Sequence, residues 1–296
     1  MTKEVANTEY AATTGAQPTV AVAVEQSFPD GKRVITDDLA YSILPLSMRL
    51  YTRLFRLPGI RGWTINYSDK AFPGVWGGLL IRKRYIDDKM LEAVANQAEA
   101  VVNLGAGFDT RAYRFPALRS IPVWELDQAQ NIDTKRARLK KIFGEVPDHV
   151  KLVAINFEQE DLGAVLASQG YETSMKTFFI WEAVTQYLTE SGIRETFDLL
   201  SKVSAGSQLA FTYILKDFID GEVLYGQESA YKEFLVKKKA WCFGFDPENV
   251  PNFLSDYGWH MIEDISYEEL TERYVKPTGR QLASMEIERM AFAEKL

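Results

Sequence analysis

Residues Val101 to Phe115 read VVNLGAGFDTRAYRF, an apolar run that enters a Gly-Ala-Gly turn and leaves it through an acid and a threonine. The run has the composition of a strand. Gly105 and Gly107 then stand at a strand-to-helix turn, where missing Cβ atoms let the chain tighten and a ligand approach the backbone. Asp109 or Thr110 is placed to cap the helix that follows. A dinucleotide fingerprint carries a third glycine, for close helix–strand packing, at the position held here by Thr110. An anionic side chain at Asp109 is also unhelpful to a bound pyrophosphate. The pattern better suits a nucleoside without phosphate that carries positive charge. S-adenosylmethionine, with a sulfonium and an ammonium, is such a ligand.

A second apolar run ends in Glu125-Leu126-Asp127. Asp127 stands 20 residues beyond Gly107, at a strand tip where a carboxylate can accept from both hydroxyls of a ribose. Strand alternation points Glu125 to the same side.

Three segments, VNLGAGFDTRAYRF, WELDQAQNIDTKRARL and FIWEAVTQYLTESG, together resemble the leucine carboxyl methyltransferase-like family of S-adenosylmethionine-dependent O-methyltransferases. The likeness runs from about residue 77 to 215. That family includes enzymes that methylate the C-terminal leucine carboxylate of a protein phosphatase, and bacterial enzymes that methylate carboxyl groups of polyketides. The resemblance implies an α/β fold of the class I methyltransferase type: a Rossmann-like seven-stranded sheet, its last strand antiparallel, under a helical cap.

The resemblance also implies roles. Arg82, in LLIRKRYIDD, matches the arginine that holds the methionine carboxylate, for which a guanidinium offers a two-point grip. Without the resemblance, Arg82, Lys83 and Arg84 read equally well as the solvated face of a helix. Glu182 matches a glutamate at the end of the fourth strand, near the methionine ammonium or the adjacent backbone. A buried glutamate needs a partner, and a cationic ligand supplies one. Tyr187, in the Tyr-Leu motif, would border the methyl-transfer site as a positioning group; ordinary core packing is the alternative. After the third strand the family has Asp-Leu, whereas this chain has Asn156-Phe157. An asparagine amide can accept from adenine N6 and donate to N1, and Phe157 can cover the ring.

Such residues need a sheet to hold them. Apolar runs at 100–106, 122–127, 150–156, 176–183 and 208–214 alternate with helical patterns at 134–144, 159–169 and 189–203. That order argues for a mostly parallel sheet covered on both faces. Strand-like runs resume at 259–265 and 286–295, and helices are expected at 18–28, 37–55 (capped by Asp37) and 77–97. The segment 215–250 breaks the rhythm with helical text that holds Tyr225, Tyr231, Trp241, Phe243 and Phe245. In the resembling family this insertion closes over the substrate. Trp241 and Phe245 are therefore candidate pocket residues, with the cap's own core as the alternative. Residues 1–76 are read as an extension whose helices contribute to the cap, with residues 1 to about 17 frayed, and 77–296 as the methyltransferase domain.

The chain has 296 residues, 46% hydrophobic and 25% charged, as in an ordinary globular protein. Its 34 basic and 41 acidic residues give a net charge of −7 with no long basic run, which disfavours nucleic acid as a partner. One cysteine, Cys242, cannot form an internal disulfide, and with only His149 and His260 beside it a Cys/His zinc site has too few ligands. Cys242 reads as inert filling, and no metal is expected. No cationic-then-apolar leader and no apolar run of about 20 residues appears. A cytoplasmic protein with no membrane partner and a small-molecule acceptor is the resulting expectation; the oligomeric state is not legible. Arg280, in PTGRQL, reads as solvated rather than as an anion site, and neither histidine falls in a motif. An ionised carboxylate acceptor needs no general base, whereas a phenol usually wants one. The scarcity of histidine therefore suits a carboxyl acceptor of a secondary metabolite, though a hydroxyl remains open. A protein C-terminus as acceptor, a dinucleotide oxidoreductase and a nucleoside sensor are the alternatives. Thr110 stands against the oxidoreductase.

Overall fold

The seven strands of the sheet are Ala100–Leu104 (β1), Val123–Asp127 (β2), Val150–Ala154 (β3), Thr177–Trp181 (β4), Gln208–Ile214 (β5), Trp259–Ser266 (β6) and Glu288–Lys295 (β7). They come from a computed structural model that describes residues 15–296; most of the segment expected to fray, 1–14, lies outside the described residues. The strand order is β3-β2-β1-β4-β5-β7-β6. β1 to β5 pair in parallel, while β7 runs antiparallel to both β5 and β6. This is the sheet implied by the resemblance. β1, β2 and β4 are buried along their whole length, as continuous apolar runs between two helical layers must be. β3 and β6, at the edges, instead mix buried and exposed positions.

The helices are Gln17–Glu25 (α1), Ala40–Ile43 (α2), Leu46–Phe55 (α3), Pro58–Ala71 (α4), Val75–Ala95 (α5), Arg111–Arg114 (α6), Ala129–Phe143 (α7), Leu162–Ser168 (α8), Glu190–Leu200 (α9), Lys216–Ile219 (α10), Glu228–Ala230 (α11), Val250–Asp256 (α12) and Tyr267–Tyr274 (α13). The single helix expected over 37–55 is broken. Pro45 forces Leu44 into an extended conformation (ψ 147°), so α2 ends there and α3 starts anew. Asp37 does accept the first free N–H groups, from Leu39 and Ala40, each at 3.0 Å. The helical text expected over 215–250 is only partly helical. After α11 the chain continues as a π-helical turn, Tyr231–Lys237, and then runs without helix to Asn249, touching the end of β5 through a bridge between Leu215 and Phe245.

Two apolar clusters fill the two sides of the sheet. One joins α1, α2, α5 and α13 to residues such as Val101, Phe178 and Met290; the other gathers Trp124, Phe179, Trp181, Phe197, Phe211 and Trp259.

Candidate active site

β1 and β4 are neighbours, yet the chain leaves β1 toward β2 and β3 on one side and returns through β4 to build the other. A crevice opens outside the strand ends at such a reversal. Gly105 follows β1 there, and Glu182 follows β4. Both glycines of the turn are left-handed, with φ of 80° at Gly105 and 44° at Gly107. A Cβ on Gly105 would stand 2.2 Å from Val184 Cγ2, and one on Gly107 would stand 2.9 Å from the Gly15 carbonyl oxygen. The glycines are thus demanded by backbone conformation and by neighbouring chain, and both also line the cavity. The helix after the turn, α6, is a single turn that offers little dipole to an anion. Asp109 accepts from the Arg111 N–H at 2.7 Å, while the Thr110 hydroxyl donates to Asp37 rather than capping the helix.

Asp127 closes the same turn. Its carboxylate accepts from Gly107 N at 2.6 Å, Gln128 N at 2.7 Å and Asn131 Nδ2 at 2.8 Å. Burial pushes its carboxyl above the ordinary value despite these bonds. Glu125 does not reach the cavity. It sits in a buried pair with Lys135 Nζ at 2.8 Å and accepts from the Tyr113 hydroxyl at 2.6 Å. Asn131 and Lys135, one turn apart on α7, thus meet Asp127 and Glu125, two apart on β2.

Arg82 is buried, not solvated, at 5% exposure. Its Nε donates to Glu182 at 3.0 Å and its Nη1 to Glu288, the first residue of β7, at 3.3 Å. Lys83 Nζ lies 3.2 Å and Arg111 Nη1 3.0 Å from the same Glu182 carboxylate. Burial alone would raise the Glu182 carboxyl, but Lys83, Arg111 and Arg82 outweigh it and hold it at about 2. Asp109 is likewise held far below the carboxylate range by Arg111 and Lys83 against its own burial. The partner that buried Glu182 requires is therefore a set of protein cations, not a ligand alone. Lys83, Arg111 and Glu288 escaped the sequence reading. For α5 a signal existed, because Val75, Leu79 and Arg82 recur at helical spacing and all face the cavity. Ala183, directly after Glu182, has φ 55°, a strained value for a residue with a Cβ, and donates its N–H to Thr212 Oγ1 at 2.8 Å.

One continuous cavity joins these groups. Gly105, Gly107, Asp127, Asn156 and Phe157 line one end, with Arg82 and Glu182 along its floor. Asn156 Oδ1 already accepts from Glu158 N at 3.1 Å, so one of its two lone pairs is taken. The start of α1, including Pro18 and Thr19, covers the glycine turn, and Thr19 donates to the Phe108 carbonyl at 3.2 Å. The other end is apolar, walled by Phe72, Val75, Leu79, Phe234, Trp241 and Met285. Tyr187 also lines the cavity, edge-on to Trp241 with centroids 6.4 Å apart, and Trp241 stacks on Phe234 at 4.3 Å. Cys242 packs with its sulfur 3.4 Å from the Leu188 carbonyl oxygen.

Two expectations fail here. Phe245 is not a wall of the cavity; it is buried in the opposite cluster against Phe243, Phe253 and Tyr213, with centroids 4.8, 5.0 and 5.6 Å away. The bridge from Leu215 to Phe245 turns this part of the segment back onto the sheet. Arg280 is neither solvated nor an anion site. It pairs with fully buried Glu25 at 2.5 Å and lies 3.8 Å over the Phe28 ring. His149 Nε2 contacts the Ala112 carbonyl oxygen at 3.0 Å, away from the cavity, and His260 is exposed on β6. Among the described residues, no cluster of His, Cys, Asp or Glu is arranged to hold a metal ion, and no helix is long and apolar enough to cross a membrane.

Known proteins bear on this geometry. A Mycobacterium marinum protein assigned to the S-adenosyl-L-methionine-dependent methyltransferases is 26% identical over 265 residues, covering 86% of this chain and 84% of its own. A second one from that species is 31% identical over 196 residues, 61% of this chain and 58% of the other. A crystal structure from Thermobifida fusca assigned as a methyltransferase superposes with a TM-score of 0.57 at 13% identity, over 81% of this chain and 89% of that one, which shows the fold. The sequence model of leucine carboxyl methyltransferase matches residues 16–201, from α1 to the end of α9. The chain belongs to the leucine carboxyl methyltransferase family and is an S-adenosylmethionine-dependent methyltransferase.

Proposed function

We propose that the protein methylates a carboxyl group, or failing that a hydroxyl group, of a small and largely apolar molecule such as a polyketide-type metabolite. The observation that carries this reading is the single cavity with a polar end and an aromatic end. The polar end fits the methyl donor. Asp127 offers a carboxylate to the ribose hydroxyls, and Asn156 and Phe157 flank the adenine. Arg82 has Nε and Nη1 committed to Glu182 and Glu288, which leaves Nη2 for the methionine carboxylate in place of a two-point grip. Glu182 stays ionised beside the ammonium because three cations hold it so.

The bound donor supplies an electrophilic methyl group on a sulfonium. The chain's own residues position the two partners and exclude water. Tyr187, beside Trp241 on the cavity wall, orients the acceptor. At the aromatic end, Trp241 Nε1 and Gln186 Oε1 are buried without a hydrogen-bond partner among the described residues. Trp241 Nε1 is a donor that a carboxylate or hydroxyl oxygen on an otherwise apolar molecule would satisfy, whereas Gln186 Oε1 is an acceptor that only a hydroxyl would satisfy. A carboxylate arrives ionised and needs no base, in keeping with a cavity that holds no histidine. A protein C-terminus is the weaker reading, since the walls offer apolar surface rather than backbone-pairing groups. Transfer of labelled methyl from S-adenosylmethionine to a panel of apolar carboxylic acids, phenols and C-terminal peptides tests this. Base treatment then distinguishes the products, because a methyl ester releases methanol and an ether does not. Label that accumulates only on peptides, or only as ether, refutes the carboxyl reading of small molecules.

A further inference from the structure

Helices α3 and α4 turn their apolar sides outward. On α3, Leu46, Leu50 and Leu54 follow at one-turn spacing and are 68%, 62% and 53% exposed, whereas the face toward the protein carries buried Thr52 with half-buried Met48 and Phe55. Leu57 continues the row between the helices, and on α4 Trp63 and Tyr67 are exposed and stacked, with centroids 5.3 Å apart. An amphipathic helix ordinarily buries this side, and contiguous exposed apolar surface marks an interaction site. The charge of the segment is as unusual. Residues 46–71 hold five basic residues and one acidic, a net +4 in a chain of net −7, so the remainder carries −11. The Arg49 and Arg56 guanidinium groups lie over the Tyr41 ring at 4.9 and 5.5 Å, beside the leucine row, and Arg53 is exposed.

We propose that this face docks on the surface of an anionic phospholipid bilayer. Leu46, Leu50, Leu54 and Leu57 enter the boundary between headgroups and acyl chains, Trp63 and Tyr67 sit at headgroup level, and Arg49, Arg53 and Arg56 meet lipid phosphates. A second copy of the same face would cover the leucines but bring these cations against one another. An anionic bilayer matches both the apolar row and the charge. Such docking would depart from the expectation of no membrane partner, drawn from the lack of a spanning segment. The proposal stands on this surface alone and is independent of the acceptor.

Co-sedimentation of the full chain with vesicles tests it. Vesicles of equal parts phosphatidylcholine and phosphatidylglycerol should carry the protein down, vesicles of phosphatidylcholine alone should not, and added salt should release it. The double variant Leu50→Ser/Leu54→Ser should lower partitioning by roughly tenfold or more, and Arg53→Glu should weaken it further at low salt. Because these side chains point outward, both variants should keep the parent's melting temperature and its affinity for S-adenosylhomocysteine. The fluorescence shift on adding vesicles should be lost in Trp63→Phe. Equal sedimentation with both vesicle types, none with either, or a stable dimer that Leu50→Ser/Leu54→Ser dissociates would each overturn the proposal, the last in favour of self-association.

Discussion

Glu182 anchors the charged groups that line the cavity. Three cations share its carboxylate, and its carboxyl is held at about 2 against an ordinary 4.5. A depressed carboxyl stabilises the fold fully above its unfolded value and loses that contribution as pH falls toward the folded value. That lowering corresponds to about 3 kcal/mol, near the roughly 3–5 kcal/mol seen when one partner of a buried ion pair is removed. Glu182→Gln should therefore lower the unfolding free energy by about 3 kcal/mol near neutral pH and by less near pH 3. Denaturant titrations at the two pH values measure this, and an equal loss at both would mean that the carboxylate is not the stabilising form. Arg82 offers a second test. Its planar group reaches Glu182 and Glu288 from two different nitrogens. A lysine ammonium cannot span both and still face a ligand carboxylate. Arg82→Lys should weaken S-adenosylhomocysteine by about tenfold or more, the worth of one charged hydrogen bond. An unchanged dissociation constant by calorimetry would take Arg82 out of the donor site.

Among the elements, the insertion after β5 divides into two parts with different work. The π-helical turn and Trp241 face the cavity, while Phe243 and Phe245 return to the sheet. Trp241→Ala should raise the acceptor's Michaelis constant and leave S-adenosylhomocysteine affinity intact. Phe245→Ala should instead cost roughly 3–5 kcal/mol of stability, with acceptor kinetics unchanged below the melting transition. Acceptor kinetics and thermal melts on both variants decide, and a shared pattern would mean that the two rings belong to one environment. From sequence, both aromatics read alike because composition carries no direction; only the bridge from Leu215 to Phe245 turns one ring away. The strands were legible for the opposite reason. Runs such as AVVNL and TFFIW leave no polar face to expose, so their burial on both sides follows from composition. The break at Pro45 was also written in the chain, since a proline bars helix at the residue before it. The cationic set around Glu182 was not, because Arg82 and Arg111 lie 100 and 71 positions from Glu182 and meet it only once the sheet is closed.

For the whole molecule, the central claim is that the crevice beside β1 and β4 holds a phosphate-free nucleoside and places its methyl group before an aromatic chamber. The short α6, the acid-lined turn and the cation-bound Glu182 all suit a sulfonium donor better than a pyrophosphate. Asp127 closes the glycine turn by accepting from Gly107 N and lines the crevice, so it is the residue on which the proposed ribose contact is tested. The decisive measurement is a calorimetric titration of S-adenosylhomocysteine and of NAD into the parent protein and into Asp127→Ala. The parent should bind S-adenosylhomocysteine and not NAD, and Asp127→Ala, still folded by circular dichroism, should bind roughly ten- to a hundredfold more weakly. Binding of NAD by the parent, or an unchanged affinity for S-adenosylhomocysteine in folded Asp127→Ala, would contradict the account.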